Sequence, residues 1–153
     1  MAPRSEQLPE QGSVEIGDNH SSLTISLVEV TPEGVPRSGD LCLDITARAG
    51  DFAGRNRHVW VGKEVFTGFL EELATLATRR SGATQLGSMT PDEFQLEIYV
   101  ADTAGHVRVE GKLARARYGP GRTGLLRDQV AFAIDFDPTR LESLVKEFRA
   151  LRA

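Results

Sequence analysis

The stretch HVWVGKEVFTGFLEELATLATRR, residues 58–80, contains the two patterns from which the fold follows. Residues 58–61 are apolar, aromatic and β-branched around one histidine and end at Gly62, which predicts a short strand. From residue 63 the period changes, and apolar residues recur at the spacing of one helix face. The sequence therefore predicts a helix over residues 63–80, stopped near Gly82, with an apolar stripe formed by Phe66, Phe69, Leu70, Leu73, Leu76 and Ala77.

The C-terminal end repeats this order of strand and helix. Apolar residues alternate from Val130 to Phe136, which predicts a strand with one buried face. Asp137 is a suitable N-cap, and Pro138 suits the first helical position, where no backbone N–H is needed. The predicted helix spans residues 138–151. It must dock on a sheet, because burying its apolar stripe contributes on the order of 10 kcal/mol before entropy is counted.

Further alternating segments predict strands at residues 22–27, 41–45, 94–100 and 107–109. Val28 and Val30 change parity, which indicates a bulge or a two-sided strand end. The segments 94–100 and 107–109 flank a turn and predict an antiparallel hairpin, with a bulge indicated at Gly111. GSMTPDEF, residues 87–94, has the composition of a loop. No βαβ unit occurs, so we predict an α+β fold: a mostly antiparallel sheet of about six strands with both helices packed on one face.

Length and composition are those of an ordinary globular chain. The 153 residues favour a single domain over residues 13–153, and the polar residues 1–12 are predicted to be a disordered tail. Cys42 is the one cysteine, so no internal disulfide can form. The first residues have no apolar core, and no apolar run approaches the ~20 residues that span a bilayer. These features favour a cytoplasmic protein without a membrane segment.

The residues that carry chemistry do not form a recognisable pattern. Cys42 lies within an alternating strand, away from any helix N-terminus that would lower its pKa. His20, His58 and His106 are far apart in sequence and have no partner at metal-binding spacing. GPGRTG, residues 119–124, opens no helix and lacks the geometry of a phosphate cradle. The sequence therefore predicts no catalytic residues, no metal and no cofactor.

Charge is distributed unevenly along the chain. Residues 1–54 carry 3 Lys/Arg against 9 Asp/Glu, whereas residues 104–153 carry 10 against 6. Residues 108–127 are locally basic, but Tyr118 is the sole aromatic among them, and RNA-binding surfaces need several. We interpret this segment as a solvated basic hairpin, and we expect no direct binding of nucleic acid.

Three residues are candidates for contact with a protein partner. Trp60 either anchors the first helix to the sheet or, if exposed, is a binding hot spot together with its neighbour His58. Tyr99 lies opposite the core-facing residues of its strand and raises the same question. An alternative is a small-molecule or enzymatic site assembled near His58 from Arg55 and Arg57, and it predicts a deep pocket.

The order of the segments resembles a known family. RHVWVGKEVFTGFLEELATL (57–76) is followed by GSMTPDEFQLEIYV (87–100), GHVRVEGKL (105–113) and DPTRLESLVKEFRAL (137–151). Over about residues 41–151 this is similar to the WapI-type immunity proteins of bacterial contact-dependent toxin systems. The resemblance implies a small, cytoplasmic, non-catalytic protein that binds and neutralises a cognate toxin domain, often a nuclease. A toxin with a basic nucleic-acid site would be matched by the acidic early half of the chain. A regulatory interaction module is a further alternative.

Overall fold

The first half of the chain forms one antiparallel sheet. The structure, a computed structural model, describes residues 12–121 and 124–152. The strands of the first sheet lie side by side in chain order: β1 (Ser13–Gly17), β2 (Ser21–Val30), β3 (Leu41–Ala49) and β4 (Phe52–Val61). The register shifts between Leu27 and Glu29, which confirms the bulge indicated by the parity change at Val28.

The second half of the chain forms a second sheet, with one helix before it and one after it. Helix α1 spans Lys63–Arg79, and the strands that follow are again antiparallel and in chain order: β5 (Ala83–Gly87), β6 (Phe94–Val100), β7 (Val107–Tyr118) and β8 (Leu125–Phe136). A single 3₁₀ turn, Pro138–Arg140, leads into helix α2, Leu141–Leu151. Helix α1 packs against β5 and β6, and α2 packs against α1 and β1.

The α+β class, the antiparallel pairing and both amphipathic helices are therefore confirmed, but two details of the prediction are wrong. The described residues form eight strands, not six, and these make two four-stranded sheets rather than one. The missed strands, β1 and β5, are five residues long and bury only two side chains each. Two inward side chains are too few for alternation to distinguish a strand from a loop. The predicted tail lies outside the described residues except for Gly12, whose carbonyl oxygen accepts from Leu27 N–H.

One buried apolar cluster draws side chains from both sheets and both helices. Where the two helices meet, the Phe69 and Phe148 rings pack edge to face with centroids 4.9 Å apart. Phe66 lies 6.4 Å from Phe69 and 6.5 Å from Phe148. Such tilted aromatic contacts contribute beyond the area that the rings bury.

Polar side chains join the two sheets. The buried Asn56 of β4 donates from Nδ2 to the carbonyl oxygens of Glu93 and Ala114, at 3.0 and 2.9 Å. At the far edge, Asp18 Oδ2 accepts from the backbone N–H of Asp135 in β8. That contact covers an edge amide which would otherwise be open to pairing with another strand.

The helix ends follow local chemistry, with one correction. Asp137 accepts from Thr139 N–H at 3.0 Å, which confirms the predicted cap. Asp40, 23 residues away in sequence, accepts from Lys63 N–H and caps the start of α1. Helix α1 ends at Arg79, and the next residue, Arg80, takes a left-handed conformation with φ 55°, so the stop comes before the predicted Gly82.

The predicted turn at residues 102–105 contains a pH-sensitive contact. Asp102 Oδ2 lies 2.6 Å from His106 Nδ1, and the hydrogen bond raises the pKa of His106 and lowers that of Asp102. The stabilisation by His106 is full below its ordinary pKa, about 6.5, and is lost as the pH rises through the raised value. The stabilisation by Asp102 is full above its ordinary pKa and is lost as the pH falls through the lowered pKa of the folded state.

We expect Asp102→Asn to lower the pKa of His106, because the substitution removes the carboxylate that favours the imidazolium. Titration of the His106 ring resonances by NMR measures this shift. Asp92→Asn is the matched control, since Asp92 bonds Lys112 and Arg127 instead. An unchanged His106 titration in Asp102→Asn would refute the contact.

Candidate partner-binding surface around His58 and Trp60

A bulge in β4 sets the direction of the candidate residues. Between the pairs Leu43–Val59 and Ile45–Asn56, two residues of β4 face a single residue of β3. His58 takes up the extra length with φ 59°, a left-handed conformation that is uncommon for residues other than glycine. As a result, Asn56 and Val59 are both buried, whereas His58 is exposed.

Trp60 lies on the outer face of the first sheet. It pairs with Cys42, which in turn pairs with Glu29, so the three side chains form a row across the sheet. Trp60 is half-buried and belongs neither to the apolar core nor to the half-buried apolar side chains packed on it. The structure therefore does not favour the interpretation of Trp60 as the anchor of α1. Its carbonyl oxygen accepts from Met89 N–H, which ties β4 to the β5–β6 connection.

Cys42 is packed beneath His58. Its Sγ lies 3.7 Å from His58 Nδ1, and the cysteine is fully buried. Burial raises the pKa of the thiol, and the nearby Glu29, Asp44 and Glu93 raise it further. A raised pKa keeps sulfur protonated, which is the opposite of what an activated nucleophile requires. The Cys42–His58 contact is within hydrogen-bonding distance for sulfur, and the raised pKa of Cys42 favours a protonated thiol there.

His58 also lines an open groove of about 350 Å³. Its walls are Arg57 and His58 of β4, residues 90–93 of the β5–β6 connection, and residues 114–116 with Arg127 of the β7–β8 hairpin. Asp92 lies 3.5 Å from both Lys112 and Arg127. Burial raises the pKa of Glu93, an effect that Arg115 partly offsets. The groove has a mixed charge, and both β4 and the β7–β8 hairpin contribute arginine.

Arg55 does not join this groove. It forms a two-point ion pair with Asp44 on the outer face of the first sheet, at 3.0 and 2.5 Å, which lowers the pKa of Asp44. The predicted alternative site therefore assembles only in part, with Arg57 and His58 on one wall and Arg55 elsewhere. A larger groove of about 620 Å³ lies on the second sheet, between Gln85 and Phe132. None of Arg55, Arg57 and His58 lines it.

Tyr99 is separate from the other two candidates. It is half-buried, and its hydroxyl donates to Glu110 Oε1 at 2.8 Å, which raises the pKa of the phenol. It lies five residues along β6 from Phe94, whose neighbour Glu93 lines the His58 groove. The structure thus brings His58 and Trp60 to one face and leaves Tyr99 outside that surface.

The sequence did not reveal how far the β7–β8 hairpin extends. The two strands pair without interruption from Val107–Phe136 to Tyr118–Leu125. We call residues 114–118 and 125–129 the hairpin arm; beyond Ala114 and before Val130 every residue of the arm is exposed. Among the described residues, no three or more His, Cys, Asp and Glu side chains cluster as metal ligands would. Within that same range, no helix has the length and apolar character to cross a bilayer.

Comparison with known proteins identifies the family. The sequence model of the Immunity protein WapI-like family matches residues 15–153. The chain belongs to this family. The match reaches further toward the N-terminus than the motifs quoted above and takes in nearly all of the first sheet. Neither a curated protein nor a solved structure matches the chain.

Proposed function

We propose that this member of the WapI-like immunity family binds a cognate toxin domain and neutralises it by contact, without catalysis of its own. The observation that carries the proposal is the family match over residues 15–153. A toxin of this kind would act in the cytoplasm of the producing cell or its neighbours, and we place the immunity protein there. The toxin's activity, a nuclease being one candidate, is part of the proposal.

The outer face of the first sheet supports this role. A half-buried tryptophan beside an exposed histidine is the type of anchor that dominates protein interfaces. Glu29 continues the Trp60 row as an exposed carboxylate, and Glu15 is exposed on the same sheet. These acids suit a partner with basic residues. Three other early carboxylates already have internal partners: Asp40 caps α1, Asp44 pairs with Arg55, and Asp18 accepts from backbone N–H groups.

The decisive experiment uses the toxin domain encoded beside this chain's gene. Expressed alone, that domain should reduce viable counts, and co-expression of this protein should restore them and yield a stoichiometric complex in size-exclusion chromatography. Loss of viability despite co-expression, together with separate elution of the two proteins, would contradict the proposal. An immunity protein from another toxin pair is the control for non-specific rescue.

Trp60→Ala tests the proposed contact face. We expect the dissociation constant of the complex to rise about tenfold or more, as when an interface anchor is removed. His58→Asn is the companion variant, because asparagine tolerates the left-handed backbone at this position. Val65→Ala on α1, where the side chain is 50% exposed, is the matched control. Calorimetric titration measures binding, and circular dichroism checks that each variant is folded; unchanged affinity in both test variants would exclude this face.

A further inference from the structure

The hairpin arm exposes more apolar surface than its surroundings. Tyr118, Leu125 and Leu126 are 85%, 54% and 36% exposed, so three of the eight large exposed apolar side chains described belong to this one element. Tyr118 and Leu125 are cross-strand partners and share one face of the arm. Concentrated apolar exposure on a soluble protein indicates an interaction surface.

The arm also carries an excess of positive charge. It has Arg115, Arg117 and Arg127 against the single carboxylate of Asp128. Arg117 lies 3.4 Å from Asp128 and Arg127 lies 3.5 Å from Asp92, so these two are partly neutralised. Arg115 forms no ion pair within the described ranges, and neither does Arg57 of β4, which lines the same groove. Two exposed guanidinium groups at one groove are thus available to carboxylates of a partner.

Protein is favoured over nucleic acid as that partner. Asp92, Glu93 and Asp128 interrupt the basic surface and would repel a phosphate backbone. Tyr118 is the one aromatic side chain of the arm, whereas single-stranded nucleic acid is held by several stacked bases. Tyrosine and arginine beside leucine are, by contrast, typical of protein hot spots. The unbroken pairing of β7 with β8 holds these side chains in place before binding, which reduces the entropy lost on association.

We infer that the hairpin arm, together with Arg57 at the same groove, is a docking element for the toxin domain. Tyr118 and Leu125 on one face of the arm would enter an apolar recess of the partner, and Arg115 on the other face would pair with its acidic residues. This inference rests on the proposed function and adds a second contact region to the Trp60 face. Charge would be complementary at both contact regions. Acidic residues of the partner would face the arm, and its basic residues would face Glu29 on the Trp60 face.

The test compares Tyr118→Ala and Arg115→Glu with wild type, using the purified toxin domain encoded beside this chain's gene as the probe. Each substitution should raise the dissociation constant about tenfold or more. In Arg115→Glu the dissociation constant should also vary less with salt concentration than it does in wild type. Both side chains are exposed, so thermal midpoints should match that of wild type. Val65→Ala and Arg149→Glu, on α1 and α2, are the matched apolar and charge controls and should bind as wild type does.

The outcomes separate this inference from the proposed function. A wild-type complex that both arm variants leave unchanged overturns the arm as a docking element and leaves the immunity function standing. A toxin domain that neither binds wild type nor is neutralised by it overturns both. A labelled single-stranded RNA serves as the probe for the rival macromolecule. RNA binding that is lost in Arg115→Glu, with toxin binding intact, would overturn the inference in favour of nucleic acid.

Discussion

Replacing Phe148 by alanine is expected to lower the free energy of unfolding by about 3–5 kcal/mol, the cost of removing a large ring from a packed core. Phe148 is fully buried, and its ring packs edge to face on Phe69 at 4.9 Å and lies 6.5 Å from Phe66. It is the main aromatic contact between α2 and α1. Because a domain of this size has about 5–15 kcal/mol of stability in total, the variant should melt some 6–20 °C below wild type.

Urea denaturation measures this change, with the fluorescence of Trp60 as the probe, since the chain contains one tryptophan. The midpoint should fall while the slope of free energy against urea stays the same. Phe52→Ala is the matched control: it removes the same ring from a site where the side chain is 75% exposed, and should change stability by no more than about 0.5 kcal/mol. Equal stability of the two variants would contradict the packing of α2 against α1.

The helices and the inner strands could be predicted because their signals are local and repeated. The stripe from Phe66 to Ala77 covers three helical turns, and all six of its residues are buried. In β6 the apolar residues at 94, 96 and 98 are buried as alternation requires. A sheet face that packs on a core needs an apolar residue at every second position, so the alternation in the sequence predicts which side chains are buried.

The parts that could not be predicted are held by pairing rather than by burial. β7 continues past Leu113 for five residues, and only Ala114 among them is buried. These residues remain a strand because their backbone groups pair with β8, which leaves no apolar alternation to detect. The first six residues of β4 likewise show no apolar alternation. Asn56 alone among them is buried, because Glu93 and Ala114 supply acceptors for its amide.

Only the part of the candidate site that is local in sequence could be predicted. His58 and Arg57 are neighbours in sequence and share a groove wall. Arg55 was expected beside them, but its guanidinium pairs with Asp44 on the adjacent strand, 11 residues earlier. Tyr99 was selected by its parity, which identifies the outer face of its own strand but not the sheet on which it lies. Whether two outer faces coincide depends on how the sheets cross, and this is a property of the tertiary structure.

The bulge that the sequence indicates at Gly111 is absent: Gly111 pairs in unbroken register with Leu96 on one side and Phe132 on the other. Glycine is required there by space. A β-carbon would overlap the carbonyl oxygen of Gln95 and lie 2.8 Å from Phe132 Cζ. The oxygen belongs to the backbone of β6, so it cannot move away without disturbing the pairing of β6 with β7.

We therefore expect Gly111→Ala to lower the free energy of unfolding by about 3 kcal/mol, at the upper end of the range for overpacking. Gly87→Ala in β5 is the matched control, because no atom lies within 4 Å of the β-carbon it would introduce. Where the backbone accepts alanine, this exchange stabilises a protein by about 0.4–1 kcal/mol through the unfolded state. The two substitutions should thus differ in sign in the same urea experiment. If Gly111→Ala were as stable as Gly87→Ala, the close approach of β6 and β8 to Gly111 would be wrong, and with it the register that positions the hairpin arm.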